Sequence, residues 1–323
     1  MKIKKEYLLL AFVIAGLVSY LVFRQTDRTH YRLPELAEIP DGQISKIQIE
    51  RAGNTVTLVK EEDKWFIGSE NYPADTEALR AMLDLIESLE VTALVSESKN
   101  YSRYQLDPGE RIAVRAWAGD TLSREFDIGK TAPTYQHTFV RLAGDPNVYH
   151  AQSSLRTRFE KPADALRDRR IHSLVPSEIK EAEMARGNEE WVVRRKEQSE
   201  SREAVGDAKS PPDKGGIKSE WLTAAGDPVN ADRVERLLSE LSDLECEGFI
   251  DHSKKEDLKD PMLSIALKGK KEYILKIYPK SEKEATAFPA VSSESPYVFT
   301  LPESRVGSFE KIFDEMLKTG EVK

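Results

Sequence analysis

Apolar and polar residues alternate across Ser45–Arg51, where Ile47 and Ile49 sit between polar neighbours, the period-two pattern of a half-buried strand. A second alternating run, Thr55–Lys60, leads through the charged turn Glu61–Lys64 into Trp65-Phe66-Ile67, which reads as a hairpin. After Pro73-Ala74-Asp75 the period changes. Leu79, Met82, Leu83, Ile86 and Leu89 recur every three or four residues, so they share one face of a helix. Asp75 suits the N-cap of that helix, and Glu77 suits its positive first turn. Leu106-Asp107-Pro108 then introduces strands predicted at Ile112–Trp117, Arg124–Ile128, Thr138–Leu142 and Val148–His150. A short helical stretch at Ser153–Glu160 follows, before Pro162.

The same order of elements recurs in the second half, which is the signature of an internal repeat. Glu178–Ala185 and Glu190–Arg195 stand for the opening strands, and Trp221-Leu222 stands where Trp65-Phe66 stood. Pro228-Val229-Asn230 leads into a helix with Val234, Leu237, Leu238, Leu241 and Leu244 at the same spacing, Asn230 replacing Asp75 and Asp232 replacing Glu77. Asp260-Pro261 opens strands at Leu263–Leu267, Tyr273–Tyr278, Phe288–Val291 and Tyr297–Leu301. A final helix carries Val306, Phe309, Ile312, Phe313 and Met316. The expected fold class is α+β: two tandem, similar units of antiparallel sheet with packed helices, behind an N-terminal transmembrane helix. The units are expected at 45–170 and 171–323, with residues 1–30 as cytoplasmic tip, anchor and start of the linker, and 31–44 as linker. A Ser-, Gly- and Pro-rich insertion at 198–219 buries too little apolar surface to order itself.

The anchor is read from Tyr7–Phe23, seventeen residues without a charge, preceded by Lys2, Lys4 and Lys5 and followed by Arg24. As a helix this run rises about 25 Å, the short end of what crosses a hydrocarbon core. Tyr7 and Tyr20 fall near its ends, where amphipathic rings favour the interface; Phe12, Gly16 and Phe23 complete the anchor set. Beyond the run stand Arg24, Gln25 and Thr26, without the small residues of a cleavage site, so the reading is an uncleaved signal anchor. The short basic end stays in the cytoplasm and the bulk of the chain lies in the periplasm or outside the cell.

Roughly 290 residues remain beyond the anchor, enough for two ordinary domains. A formal net charge of −8 argues against a nucleic-acid surface. The basic run Arg167–Arg170 is broken by Asp168 and reads as a solvated segment between the units. The lone cysteine, Cys246, has no partner for a disulfide, so the units must stand on packing; it ends an apolar helix pattern and reads as a small core residue.

Little in the spacing points to catalysis. The five histidines form no H-x-x-x-H or H-x-H arrangement, although His137 and His150 could approach if their strands pair. Ser153 and Ser154 lack a nucleophile elbow. Ile128-Gly129-Lys130-Thr131 lacks the upstream glycine of a phosphate loop and reads as a turn using glycine's backbone freedom. Asp107 and Glu110 carry no cleft with them. Tyr101, Tyr104, Tyr135 and Phe139 could line a groove, though strand aromatics usually fill cores or cross-strand pairs. The Thr- and Pro-rich loop Lys130–His137 is the best local contact surface. Tyr135, His137 and Arg141 are the candidate partner contacts, with no catalytic residue, cofactor or metal expected.

Tyr104-Gln-Leu-Asp-Pro108, Phe126-Asp-Ile-Gly-Lys130, Thr138-Phe-Val-Arg-Leu142, Val148-Tyr149 and Leu166-Arg-Asp-Arg169 together resemble the bacterial DUF4340 family, best over Val56–Ile171. Gln105 stands where the family usually has glycine. The resemblance implies an exported, non-enzymatic module of membrane-anchored envelope proteins, related to auxiliary components of gliding-motility-type ABC transporters. The function expected is therefore an extracytoplasmic accessory or scaffold that binds another envelope component. The alternative is an envelope ligand- or glycan-binding module, and an enzyme with dispersed carboxylates is the third reading.

Overall fold

A computed structural model describes residues 13–20, 31–196, 220–280 and 285–320. The chain divides into two compact units: residues 1–68 with 76–163, and residues 69–75 with 164–323. The described residues hold two nine-stranded sheets with the same plan. The first runs β4(Tyr72–Pro73), β3(Lys64–Ile67), β2(Asn54–Glu61), β1(Lys46–Arg51), β6(Ile112–Ala118), β7(Thr121–Thr131), β8(His137–Leu142), β9(Val148–Gln152), β5(Val91–Ser96). The second repeats that order with β13(Pro228–Val229), β12(Trp221–Thr223), β11(Glu189–Arg195), β10(Glu181–Arg186), β15(Leu263–Lys268), β16(Glu272–Ile277), β17(Ala287–Ser292), β18(Phe299–Pro302) and β14(Gly248–Phe249). Every strand of one sheet has its counterpart at the same place in the other.

The expected hairpin and meander are one continuous sheet, because the opening strand pairs on both edges. Ile47 faces Leu58 of β2 and Ala116 of β6; Met184 faces Trp191 of β11 and Ile265 of β15. Alternation then decides the inner face. Ile47 and Ile49, Ala182 and Met184, and Leu263, Ile265 and Leu267 are all buried. Four strands escape the sequence pattern: β4, β5, β13 and β14. Three are two residues long, too short for a period, and Val91–Ser96 is apolar without alternation.

Helix α1(Thr76–Glu87) turns Leu79, Met82 and Ile86 inward, and Leu89 is buried two residues past its end. It packs on the short α2(Leu155–Phe159), which lies over β7 and β8. In the second unit α3(Ala231–Ser242) packs on α4(Glu303–Gly320), which lies over β11, β17 and β18. Val234, Leu237, Leu238 and Leu241 meet Val306, Phe309, Ile312, Phe313 and Met316 in one core. Asn230 caps α3: its Oδ1 accepts from the Asp232 amide at 3.0 Å, satisfying a first-turn donor.

The stretch 31–44, expected as a linker, places Ile39 and Ile44 in the first core, and the Ala37 carbonyl accepts from buried Arg124 at 2.8 Å. The basic run Arg167–Arg170, expected to be solvated, does expose Arg169 and Arg170, but the backbone of 169–174 is pinned beside 242–246. Ile171 N donates to Leu244 O at 2.7 Å and Cys246 N to Arg169 O at 2.8 Å. The Arg167 side chain is only 10% exposed; its guanidinium lies 3.9 Å from the Tyr72 ring centroid and pairs with Asp251 at 2.9 Å. Tyr72 itself packs on Phe249 and Tyr297 at 4.9 and 4.3 Å between ring centroids, and its hydroxyl donates to Glu70. Thus residues from between β3 and α1 of the first repeat form part of the second unit.

Gly129 is not in a turn. It lies in β7, where the pairing with β8 shifts between Ile128 and Thr131 in a bulge. A Cβ there would stand 2.3 Å from the Tyr104 carbonyl oxygen and 3.2 Å from that of Phe139. Glycine is required by the close approach of a neighbouring chain and not by a positive φ.

Among the described residues no helix is long and apolar enough to cross a membrane. Of the stretch read as an anchor, residues 13–20 are described and are helical; Gly16 and Tyr20 lie in them. Tyr7, Phe12 and Phe23 lie outside the described residues, as does the insertion at 198–219.

Candidate interaction surface

The outer face of the first sheet, away from α2, gathers most of the residues that the sequence singled out. In β8 the residues His137, Phe139 and Arg141 alternate with Thr138, Val140 and Leu142, so they share that face. Register adds their neighbours: Arg141 stands opposite Asp127 of β7, and Phe139 opposite His150 of β9. The loop after β5 covers the middle of this face. A 3-10 turn at Ser102–Tyr104 ends on Gln105, whose φ of 56° and ψ of 43° are left-handed. The turn that glycine would favour is therefore kept, with glutamine adopting a conformation that costs a side chain energy.

The result is a file of packed rings and charges. Arg141 lies over Tyr101, 4.5 Å from its ring centroid, and donates to Asp127 from Nε at 2.9 Å. Arg111 reaches the same carboxylate at 3.0 Å. Tyr104 packs on Phe139 at 4.9 Å, Phe139 on His150 at 4.9 Å, and His150 on His137 at 5.4 Å. Thr134 Oγ1 closes the file, 3.4 Å from His137 Nδ1. Tyr104 and Phe139 are thus buried partners in a small outer core with Leu106, Ala132 and Val148 and do not line an open groove; Tyr101 packs half-buried against that core.

Tyr135 is separate from that core. It is 82% exposed at the tip of the loop, on a left-handed backbone with φ of 59°, and its amide donates to the Ala132 carbonyl at 2.9 Å. An exposed aromatic on a left-handed residue is held in place by the turn around it. Of the three expected contacts, His137 and Arg141 lie on the sheet face and Tyr135 on the adjoining loop.

A cleft of about 430 Å³ opens at the Arg141 end, lined by Tyr101, Arg111, Arg115, Glu125, Asp127 and Pro146 among others. Its charges answer one another. Arg115 bonds Glu125 at 2.7 Å, and Asp127 serves both Arg111 and Arg141. The bond to Glu125 raises the Arg115 pKa, and burial against the bonds to Asp127 leaves Arg141 raised as well. Tyr149 donates to Asp145 at 2.7 Å, and burial raises its phenol. No sequence spacing could assemble this cleft, since its residues come from β6, β7, β8, the loop before β6 and the loop after β8.

Other candidates settle into structural roles. Cys246 is 4% exposed, and burial pushes its thiol up to about 12, so it is not a nucleophile near neutrality. His172 is 1% exposed, with Nε2 2.7 Å from Ser292 Oγ, and burial lowers it to about 4.

Fold and surface together define a tandem-repeat α+β protein, two nine-stranded sheets each with packed helices, presenting a stacked aromatic and guanidinium strip on the first. The model of a domain of unknown function, DUF4340, matches residues 65–262, and the chain belongs to that family. The match begins in β3 and ends just before β15, so it spans parts of both units. No protein of curated function and no solved structure matches the chain.

Proposed function

We propose that the chain is a non-enzymatic, membrane-anchored accessory or scaffold protein. Residues 7–23 sit in the cytoplasmic membrane, and the two sheet units stand outside the cytoplasm. There they bind another envelope component, in an assembly of the ABC-transporter type. The observation that carries this reading is the exposed apolar surface of the helical residues 13–20. Val13, Ile14, Leu17 and Val18 are 50, 52, 56 and 53% exposed, apolar side chains along one broad side of a helix that its own chain leaves uncovered. Such a helix is suited to lipid or to a protein partner. Paired units on one tether raise the effective concentration for a partner with two contact points. The outer strip of the first sheet, with Tyr135 at its rim, supplies the contact surface.

A photo-crosslinking side chain at position 135 should capture a reproducible membrane or envelope protein in cells, whereas one at exposed Val175 should not. Identical capture at both positions, or none, would remove the assignment of that surface. A reporter fused at the C-terminus tests the topology; activity confined to the cytosol would sink the anchor.

The cleft beside Tyr101 favours a second reading, a sugar-binding module. An aromatic ring beside guanidinium and carboxylate groups suits a pyranose. Envelope glycans should then raise the melting temperature, and Tyr101→Ala should abolish the shift.

A further inference from the structure

Among the described residues no group of three or more His, Cys, Asp or Glu side chains gathers to hold an ion. Sheet register nevertheless brings together two imidazoles that sequence spacing keeps apart. With Phe139 opposite His150 and His137 opposite Gln152, the two histidines are diagonal neighbours on one face of adjacent strands. Their ring centroids are 5.4 Å apart and their planes 30° from parallel.

The nitrogens are the informative part. His150 Nε2 is buried and has no hydrogen-bond partner. His137 is engaged through Nδ1 with Thr134, which leaves its Nε2 uncommitted. A buried polar atom without a partner is uncommon and costly, and it calls for an explanation. Two imidazoles that each give one nitrogen to a tetrahedral ion, at about 2.0–2.1 Å, place their ring centroids about 5 Å apart. The observed separation is already close to that value.

We propose that His137 and His150 form a two-imidazole site for a borderline divalent metal ion of the zinc class, its remaining coordination positions open to exchangeable ligands. Thr134 orients His137 from behind, as outer partners of ligating histidines do. Phe139, packed on His150 at 4.9 Å, gives the site an apolar wall. The site stands on the first sheet alone and does not depend on the anchor or on the proposed envelope partner.

The test is calorimetric titration of the full chain in detergent micelles with zinc chloride, near neutral pH. One ion per chain is expected. Affinity should fall on the order of tenfold or more in His137→Gln and in His150→Gln. It should persist in His30→Gln and His252→Gln. Because His150 is partly enclosed, circular dichroism must show that its variant folds; His137→Gln, at the rim, tests the site independently of that control. In histidine-15N spectra, zinc should shift the Nε2 signals of both residues. Absence of binding, unchanged affinity in the double variant, or loss of binding in His252→Gln would each overturn the proposal.

Discussion

Acid should unlock the second unit through one buried imidazole. His172 is 1% exposed, its Nε2 meets Ser292 Oγ at 2.7 Å, and its Nδ1 has no partner. Burial holds it neutral down to about 4, with nearby Glu294 raising and Lys271 lowering that value; Tyr273 covers one side of the ring. In the unfolded chain the same group takes up its proton near 6.5. Between these values the unfolded state binds more protons, so stability is complete above about 6.5 and falls as the pH drops toward 4. Each pKa unit is worth about 1.4 kcal/mol, so the full effect is about 3 kcal/mol, and about 2 kcal/mol is already lost at pH 5. The variant His172→Gln keeps an amide to bond Ser292 but has no proton to gain. It should lose some packing stability at neutral pH, yet its stability should fall by about 2 kcal/mol less than the parent's between pH 7.5 and 5. Denaturant melts in a Trp65→Phe, Trp117→Phe background leave Trp191 and Trp221 as reporters of the second unit. Parallel stability-against-pH curves for parent and variant would refute the reasoning.

Four further outcomes are expected. Tyr72→Ala removes a ring packed on Phe249, Tyr297 and Arg167 and should cost about 3–5 kcal/mol. The loss should register on Trp191 and Trp221; a cost under about 1 kcal/mol would contradict the packing. Gly129→Ala drives a Cβ to 2.3 Å from the Tyr104 carbonyl and should cost about 3 kcal/mol or more in thermal melts. Gly109→Ala, with open space at its Cβ, should change stability by less than about 0.5 kcal/mol. Gln105→Gly releases a side chain from φ of 56° and should stabilise the first unit by about 0.5–1 kcal/mol in the same melts, a sign that strain-free glutamine would reverse.

Most elements were legible because their burial is periodic. Ile47 and Ile49, and Val234, Leu237, Leu238 and Leu241, face a core at the spacing their strands and helix impose. Comparing the halves made the tandem plan readable, and Asn230 is the cap its place in the repeat predicted. Two-residue strands such as Tyr72–Pro73 carry no period and leave no mark in the sequence pattern. The glycine at 129 answers to the close approach of Tyr104 across the fold and not to a turn, and that approach is invisible to local pattern. The proximity of His137 and His150 was legible only as a condition, because it depends on which strands pair and in what register.

Local chemistry thus determined the elements, their order and their duplication, because side-chain periodicity and capping act within a few residues of chain. Tertiary structure alone decided that Tyr72 belongs to the second unit, packed on Phe249 and Tyr297. It also aligned Arg141, Tyr101, Tyr104, Phe139, His150 and His137 into one strip. Those contacts join segments far apart in sequence, and sheet register and close packing place them.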